Sequence, residues 1–163
     1  MSVRNCAEIG ENLQKIVRAL MANDELIKLL YYTDKDPLNQ PALTSEQKNE
    51  EIFNKLIKII PKVTAEETVK SIISLTIEGG TQDPDNKEFK NLSLKIESFC
   101  PFTQWIIKSD NLRPFLILGN IQKTLNGLSI NGLGKLKGGD FELSFLTDEI
   151  SNYTQSFKIT TYD

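Results

Sequence analysis

The stretches Ile73-Ser74-Leu75-Thr76-Ile77 and Leu92-Ser93-Leu94-Lys95-Ile96 decide the fold. In both, apolar and polar residues alternate with period two, which puts Ile73, Leu75 and Ile77, and likewise Leu92, Leu94 and Ile96, on one face of a pleated strand. Between them, Gly79-Gly80-Thr81-Gln82-Asp83-Pro84-Asp85-Asn86 is a run of turn formers. The pair is therefore predicted to be an antiparallel hairpin with a long polar tip.

Toward the N-terminus the period changes. Ile9, Leu13, Ile16, Val17, Leu20 and Met21 recur at steps of three and four, with Glu8, Glu11, Lys15 and Arg18 opposite, which predicts an amphipathic helix over 6–21. Asn23-Asp24 interrupts it, and Asp24 is the expected cap of a short second helix, Glu25 to Leu30. Tyr31 to Pro41 carries two prolines and turn-forming Asp and Asn, so a loop is predicted there, with Tyr31 and Tyr32 packing it onto the core. Thr44 and Gln47 have the spacing of a capping box, which starts a helix running from Glu46 to about Phe53. Leu56-Ile57-Lys58-Ile59-Ile60, closed by Pro61, reads equally as a buried strand or a helix end.

Toward the C-terminus a third principal helix is predicted from near Asn111, with Pro114 in its first turn and a stop at Asn126-Gly127. Its core face is Ile117, Ile121 and Leu125, widened by Leu118 and Phe115. Three strands should follow: Ser129 to Leu136, Phe141 to Leu146 and Tyr153 to Thr161, with Lys137-Gly138-Gly139-Asp140 as the turn between the first two. Helices before and between antiparallel strands predict an α+β fold: an antiparallel or mixed sheet of about five strands, with the N-terminal helix and the central helix on one face. A single domain over residues 1–163 is expected, with N-terminal helices at 1–30, a loop and short helix at 31–69, and hairpin, helix and strands at 70–163.

Composition removes whole classes of chemistry. The sequence has no histidine, which excludes Ser-His, Cys-His and His-metal arrangements. Lys plus Arg is 19, Asp plus Glu is 22 and the net charge is -3, with arginine only at Arg4, Arg18 and Arg113, so a general phosphate-backbone grip is not expected. Cys6 and Cys100 are too few for a disulfide framework or a thiolate zinc site and suit a reducing cytoplasm, while a single bridge between them stays open. No run approaches the ~20 apolar residues of a membrane helix, and the first residues lack the apolar stretch of a secretory signal.

Motif by motif, structural roles are favoured. Gly132-Leu133-Gly134 with Gly138 and Gly139 lacks dinucleotide-loop spacing and a following helix, and reads as a strand bulge and a hairpin turn. Asp83 to Glu88 has acidic spacing but Lys87 at a ligand position and no glycine, so it is no calcium loop. Glu50-Glu51, Glu66-Glu67 and Asp148-Glu149 are adjacent carboxylates with nothing to place them in a pocket. Ser129 lacks a nucleophile-elbow glycine and an activating histidine, and Cys100-Pro101 reads as buried packing. No catalytic, cofactor-binding or metal-binding residue is expected, and no cofactor.

The order of whole segments resembles the tail terminator (tail completion) proteins of tailed bacteriophages. Three stretches carry the likeness: Leu30-Tyr-Tyr-Thr-Asp-Lys-Asp-Pro-Leu38 after the N-terminal helices; Phe89 to Ile107, with Leu92 to Phe99 leading to Trp105-Ile106; and Leu112-Arg-Pro-Phe115 through Leu125-Asn-Gly127 to Ile130-Asn-Gly-Leu-Gly-Lys-Leu136. Related phage chains often have histidine after the second hairpin strand, where this one has Cys100-Pro101. The resemblance implies a homo-oligomeric ring, expected to be hexameric, that caps the tail tube and receives the head-closure or connector proteins on its other face. Its place would be the neck of a virion made in the host bacterial cytoplasm, with no membrane, and with DNA only passing through the lumen. Acidic side chains facing that lumen would repel phosphate and let DNA slide. The Gly80 to Asn86 tip and the Tyr31 to Pro41 loop are the expected contacts to neighbours, against plain solvated loops. The alternatives are a head-completion or stopper protein of the neck and, from other classes, a small cytoplasmic carboxylate enzyme or a nucleic-acid adaptor.

Overall fold

In the computed structural model, which describes residues 3–60 and 62–160, the chain forms four helices and one six-stranded sheet. Helix α1, Cys6–Met21, is capped by the Asn5 side chain, which accepts from Ala7 N, and buries Leu13, Ile16, Val17 and Leu20 along one stripe. The sequence expectation for α2, Asp24–Tyr31, is corrected at its start. The cap is Asn23, whose side chain accepts from Leu26 N, and Asp24 is the first helical residue. Helix α3, Ser45–Glu51, begins with the predicted capping box: Thr44 accepts from Gln47 N, and Gln47 accepts from Thr44 N. Helix α4, Arg113–Leu125, carries Pro114 in its first turn, and the chain leaves it through Gly127 at φ 86.

The ambiguous segment 56–60 contains strand β1, Ile57–Lys58, which pairs parallel with β2 and makes the sheet mixed. Pro61, expected to close this segment, lies outside the described residues. The predicted hairpin is β2, Ile72–Gln82, and β3, Phe89–Pro101, with Leu75 opposite Ile96 and Ile77 opposite Leu94. After α4 come β4, Ser129–Ile130, β5, Gly134–Thr147, and β6, Ile150–Thr160, giving the strand order β1-β2-β3-β6-β5-β4. Thr161, the expected end of the last strand, lies outside the described residues.

The strand-turn-strand reading of 129–146 is corrected. Lys137-Gly-Gly-Asp140 is not a turn: β5 runs through it, because β6 pairs on both sides of it, from Lys135↔Thr160 to Thr147↔Ile150. The turn lies earlier, at 131–133, and β5 and β6 are joined by Asp148-Glu149. Gly138 and Gly139 form a bulge instead, with φ values of 141 and 115. A Cβ at Gly138 would lie 2.5 Å from the Ser156 carbonyl oxygen, so only glycine fits.

Opposed residues of antiparallel strands share a face, so the register defines rows across the sheet. One row is Leu75, Ile96, Gln155 and Phe141; the next is Ile73, Ser98, Tyr153 and Leu143. Helix α4 lies on this face, where the Gln155 side chain donates to the Leu118 carbonyl at 3.2 Å and Gln122 abuts Gly139. The opposite face carries Thr76, Lys95, Ser156 and Asp140. Near Ile72 and Phe99 that second face is also buried, and Ser74 donates there to the Ile60 carbonyl.

Candidate assembly surface

The bulge at Gly138-Gly139 decides where the aromatic residues of β5 point. One extra residue shifts the alternation, so Phe141, Leu143 and Phe145 emerge on the same face as Leu136. Each row is buried at β2, β3 and β6 and opens at β5: Leu75, Ile96 and Gln155 are at most 1% exposed, whereas Phe141 is 55%, Leu143 48% and Phe145 61% exposed. The helical layer does not cover this end of the sheet.

These side chains belong to a continuous aromatic surface. Phe115, in the first turn of α4, meets Phe141 at 6.4 Å and Tyr153 at 5.5 Å between ring centroids. Trp105 lies 6.3 Å from Tyr153 and 5.2 Å from Phe102, which approaches Phe145 at 6.2 Å. Trp105 is fixed by its indole N–H, which donates to Ser151 Oγ at 3.1 Å. Exposed Phe102, Phe115 and Ile106 extend the patch beyond β5. An exposed apolar patch with polar surroundings is the kind of surface at which macromolecules dock, and aromatic side chains are enriched where such contacts are strongest.

Of the two segments expected from the sequence to meet neighbours, one packs on the body and the other projects from it. The Tyr31 to Pro41 loop is folded back onto the body. Arg113, fully buried, donates from Nη1 to the carbonyls of Leu29 and Tyr32, from Nη2 to that of Asp34, and from Nε to that of Gln104, at 2.7–2.8 Å. Leu29 and Tyr32 lie at the end of α2, where carbonyls lack helical partners and the helix dipole favours a cation. Tyr32 donates its hydroxyl to Pro41 O at 2.8 Å, and the Lys70 ammonium sits 3.7 Å from the Tyr31 ring centroid. Sequence reasoning passed over Arg113; its only signal was an arginine beside the first-turn proline of an apolar helix. The β2–β3 tip projects polar groups, and Asp83 organises it by accepting from Asp85 N, Asn86 N and Lys90 Nζ.

The three carboxylate pairs lie on different elements. Glu50-Glu51 ends α3, Asp148-Glu149 forms the β5–β6 turn, and Glu66 and Glu67 lie exposed in the turn before β2, with Glu67 bound to Lys58. The Lys58 hydrogen bond, helped by Thr64 N, holds the Glu67 carboxyl down at about 2. Cys6 is exposed and Cys100 buried, both free, and burial pushes the Cys100 thiol up to about 11. Gly132 and Gly134 serve the β4–β5 turn, and Ser129 sits in β4 with no nucleophile turn around it. Among the described residues, no group of three or more Cys, Asp and Glu side chains is arranged to hold a metal ion.

A comparison with curated proteins finds no match. A family model described as YomW matches residues 23–159, from the cap of α2 to the penultimate residue of β6. The match takes in the sheet, α4 and the aromatic surface and leaves out α1. The chain belongs to the YomW family.

Proposed function

We propose that this chain is a structural subunit of a tailed-phage particle, a tail terminator that caps the tail tube as a ring and joins it to the head–tail connector. The observation that carries the reading is the exposed aromatic surface of Phe141, Leu143 and Phe145 with Phe115 and Phe102, set at one end of a rigid sheet. The phage derivation of the YomW name supports the setting, and the segment order resembles that of tail terminators. Burying a large apolar side chain contributes about 1.5–3 kcal/mol. Three half-exposed side chains per subunit therefore supply several kcal/mol when a partner covers them, multiplied around a ring.

Ring closure takes two different patches per subunit, one for each neighbour. The aromatic end of β5 is one; the polar β2–β3 tip, two strands away across β6 and β3, is available as the other. Deleting the gene tests the reading. Filled heads without tails, beside unstable or overlong tubes, are the expected result. Leaking heads with normal tails would overturn it in favour of a stopper, and normal particles would remove the chain from the neck altogether.

A further inference from the structure

The outer edge of β5 is open beyond its bulge. β4 pairs only with Gly134 and Lys135, and Asn126 Oδ1 accepts from Gly138 N; farther along, among the described residues, no strand lies on that side. The run from Asp140 to Phe145 pairs with β6 in unbroken register, between shifts at Gly138/Asp140 and Phe145/Thr147. A straight open edge with an apolar face is a template for another strand.

We propose that this edge pairs antiparallel with the same edge of a second copy of the chain, about a two-fold axis at Leu143. The argument is the register. Phe141-Glu142-Leu143-Ser144-Phe145 reads alike from both ends on its apolar face. An axis at Leu143 sets Phe141 against Phe145 of the second copy, Leu143 against Leu143, and Glu142 against Ser144. An axis at Glu142 would oppose two like charges, which is destabilising. An axis at Ser144 loses the pairing of Phe141 with an aromatic. Antiparallel pairing also carries Lys137 of one copy toward Asp148 and Glu149 of the other, at the far ends of the open strand. The opposite edge is unsuited, because β2 breaks register at Ile77/Gly79 and again at Gly79/Thr81.

The joined sheets present their two aromatic faces side by side as one surface. The pairing stands apart from the tail-terminator reading: it occupies the backbone edge of β5 and leaves the aromatic face, which the ring contact uses, uncovered.

Sedimentation of the intact chain tests it, with an expected mass twice the 18.4 kDa of one chain. Leu143→Lys is expected to reduce the species to one chain with its melting curve retained. In a Cys6→Ser background, mild oxidation of Leu143→Cys gives a covalent dimer, because opposed Cα atoms about 4.5–5.5 Å apart fall within the ~4.4–6.8 Å disulfide range. Phe141→Cys alone gives none, whereas Phe141→Cys combined with Phe145→Cys does. A single chain at all concentrations, with no Leu143→Cys cross-link, overturns the pairing. So does a closed ring whose mass Leu143→Lys leaves unchanged, and that result keeps the ring reading. A dimer from a chain absent from the neck overturns the terminator reading alone.

Discussion

Replacing Arg113 with methionine is expected to cost more than any surface change. The apolar stem is kept and four donated hydrogen bonds are lost, all to backbone carbonyls, at 2.7–2.8 Å. The bond to Leu29 O is fully buried, so that carbonyl is left without a partner, at about 1–3 kcal/mol. The carbonyls of Tyr32, Asp34 and Gln104 are partly buried and regain water, at roughly 0.5–1 kcal/mol apiece. The expected loss, taken from these bonds together, is about 3–5 kcal/mol. For a chain of this size it lowers Tm by about 6–20 °C. Urea unfolding measures it as a shift in midpoint at constant slope. Arg113→Lys, a point charge in place of a fork, falls between. Proteolysis supplies a local readout: the segment 32–44 becomes a cleavage site before the rest of the chain. A loss below about 1 kcal/mol for Arg113→Met, or an unchanged cleavage pattern, would refute the role of Arg113 as the clamp joining α2, its following loop and α4.

Gly138→Ala is expected to destabilise by about 2–4 kcal/mol, because its Cβ would meet the Ser156 carbonyl and its φ of 141 disfavours a side chain; Gly119→Ala, on an open helix surface, instead gains about 0.5–1 kcal/mol in the same urea titration. The Glu67 carboxyl is held near 2 against an ordinary 4.5, so its contribution is present above 4.5 and is lost as the pH falls toward 2. Glu67→Gln removes that part of the acid dependence, seen as a flatter midpoint-against-pH curve. With an aromatic disulfide reagent at neutral pH, Cys6 reacts at once and Cys100 only on unfolding, since Cys100 is buried and its thiol raised to about 11. Two fast-reacting thiols in the native protein would contradict its buried placement.

Much of the scaffold was legible in local sequence. The period-two runs at Ile73–Ile77 and Leu92–Ile96, the capping box at Thr44, the first-turn proline of α4 and the glycine after it each have a local cause and match the structure. Gly138-Gly139 misled, because a pair of glycines serves a turn or a bulge equally well. What decides is β6, which is long enough to pair on both sides of the bulge. With the bulge unrecognised, Phe141, Leu143 and Phe145 had no defined face, so the aromatic surface was hidden although every residue of it was in view. Asn23 and Asp24 are both good caps, and the choice between them rests on the Asn23 side chain also donating to Asn120 and Thr124 of α4. Arg113 eluded the reading for a similar reason. Its partners are carbonyls of distant segments, which carry no mark in the sequence.

Cryo-imaging of purified phage particles assembled with a labelled copy of the chain tests the central claim most directly. A ring of labelled subunits between the tail tube and the head connector is the predicted result, weakened or lost when Phe145→Lys disrupts the aromatic surface. Intact particles with no label at the head–tail junction would contradict it.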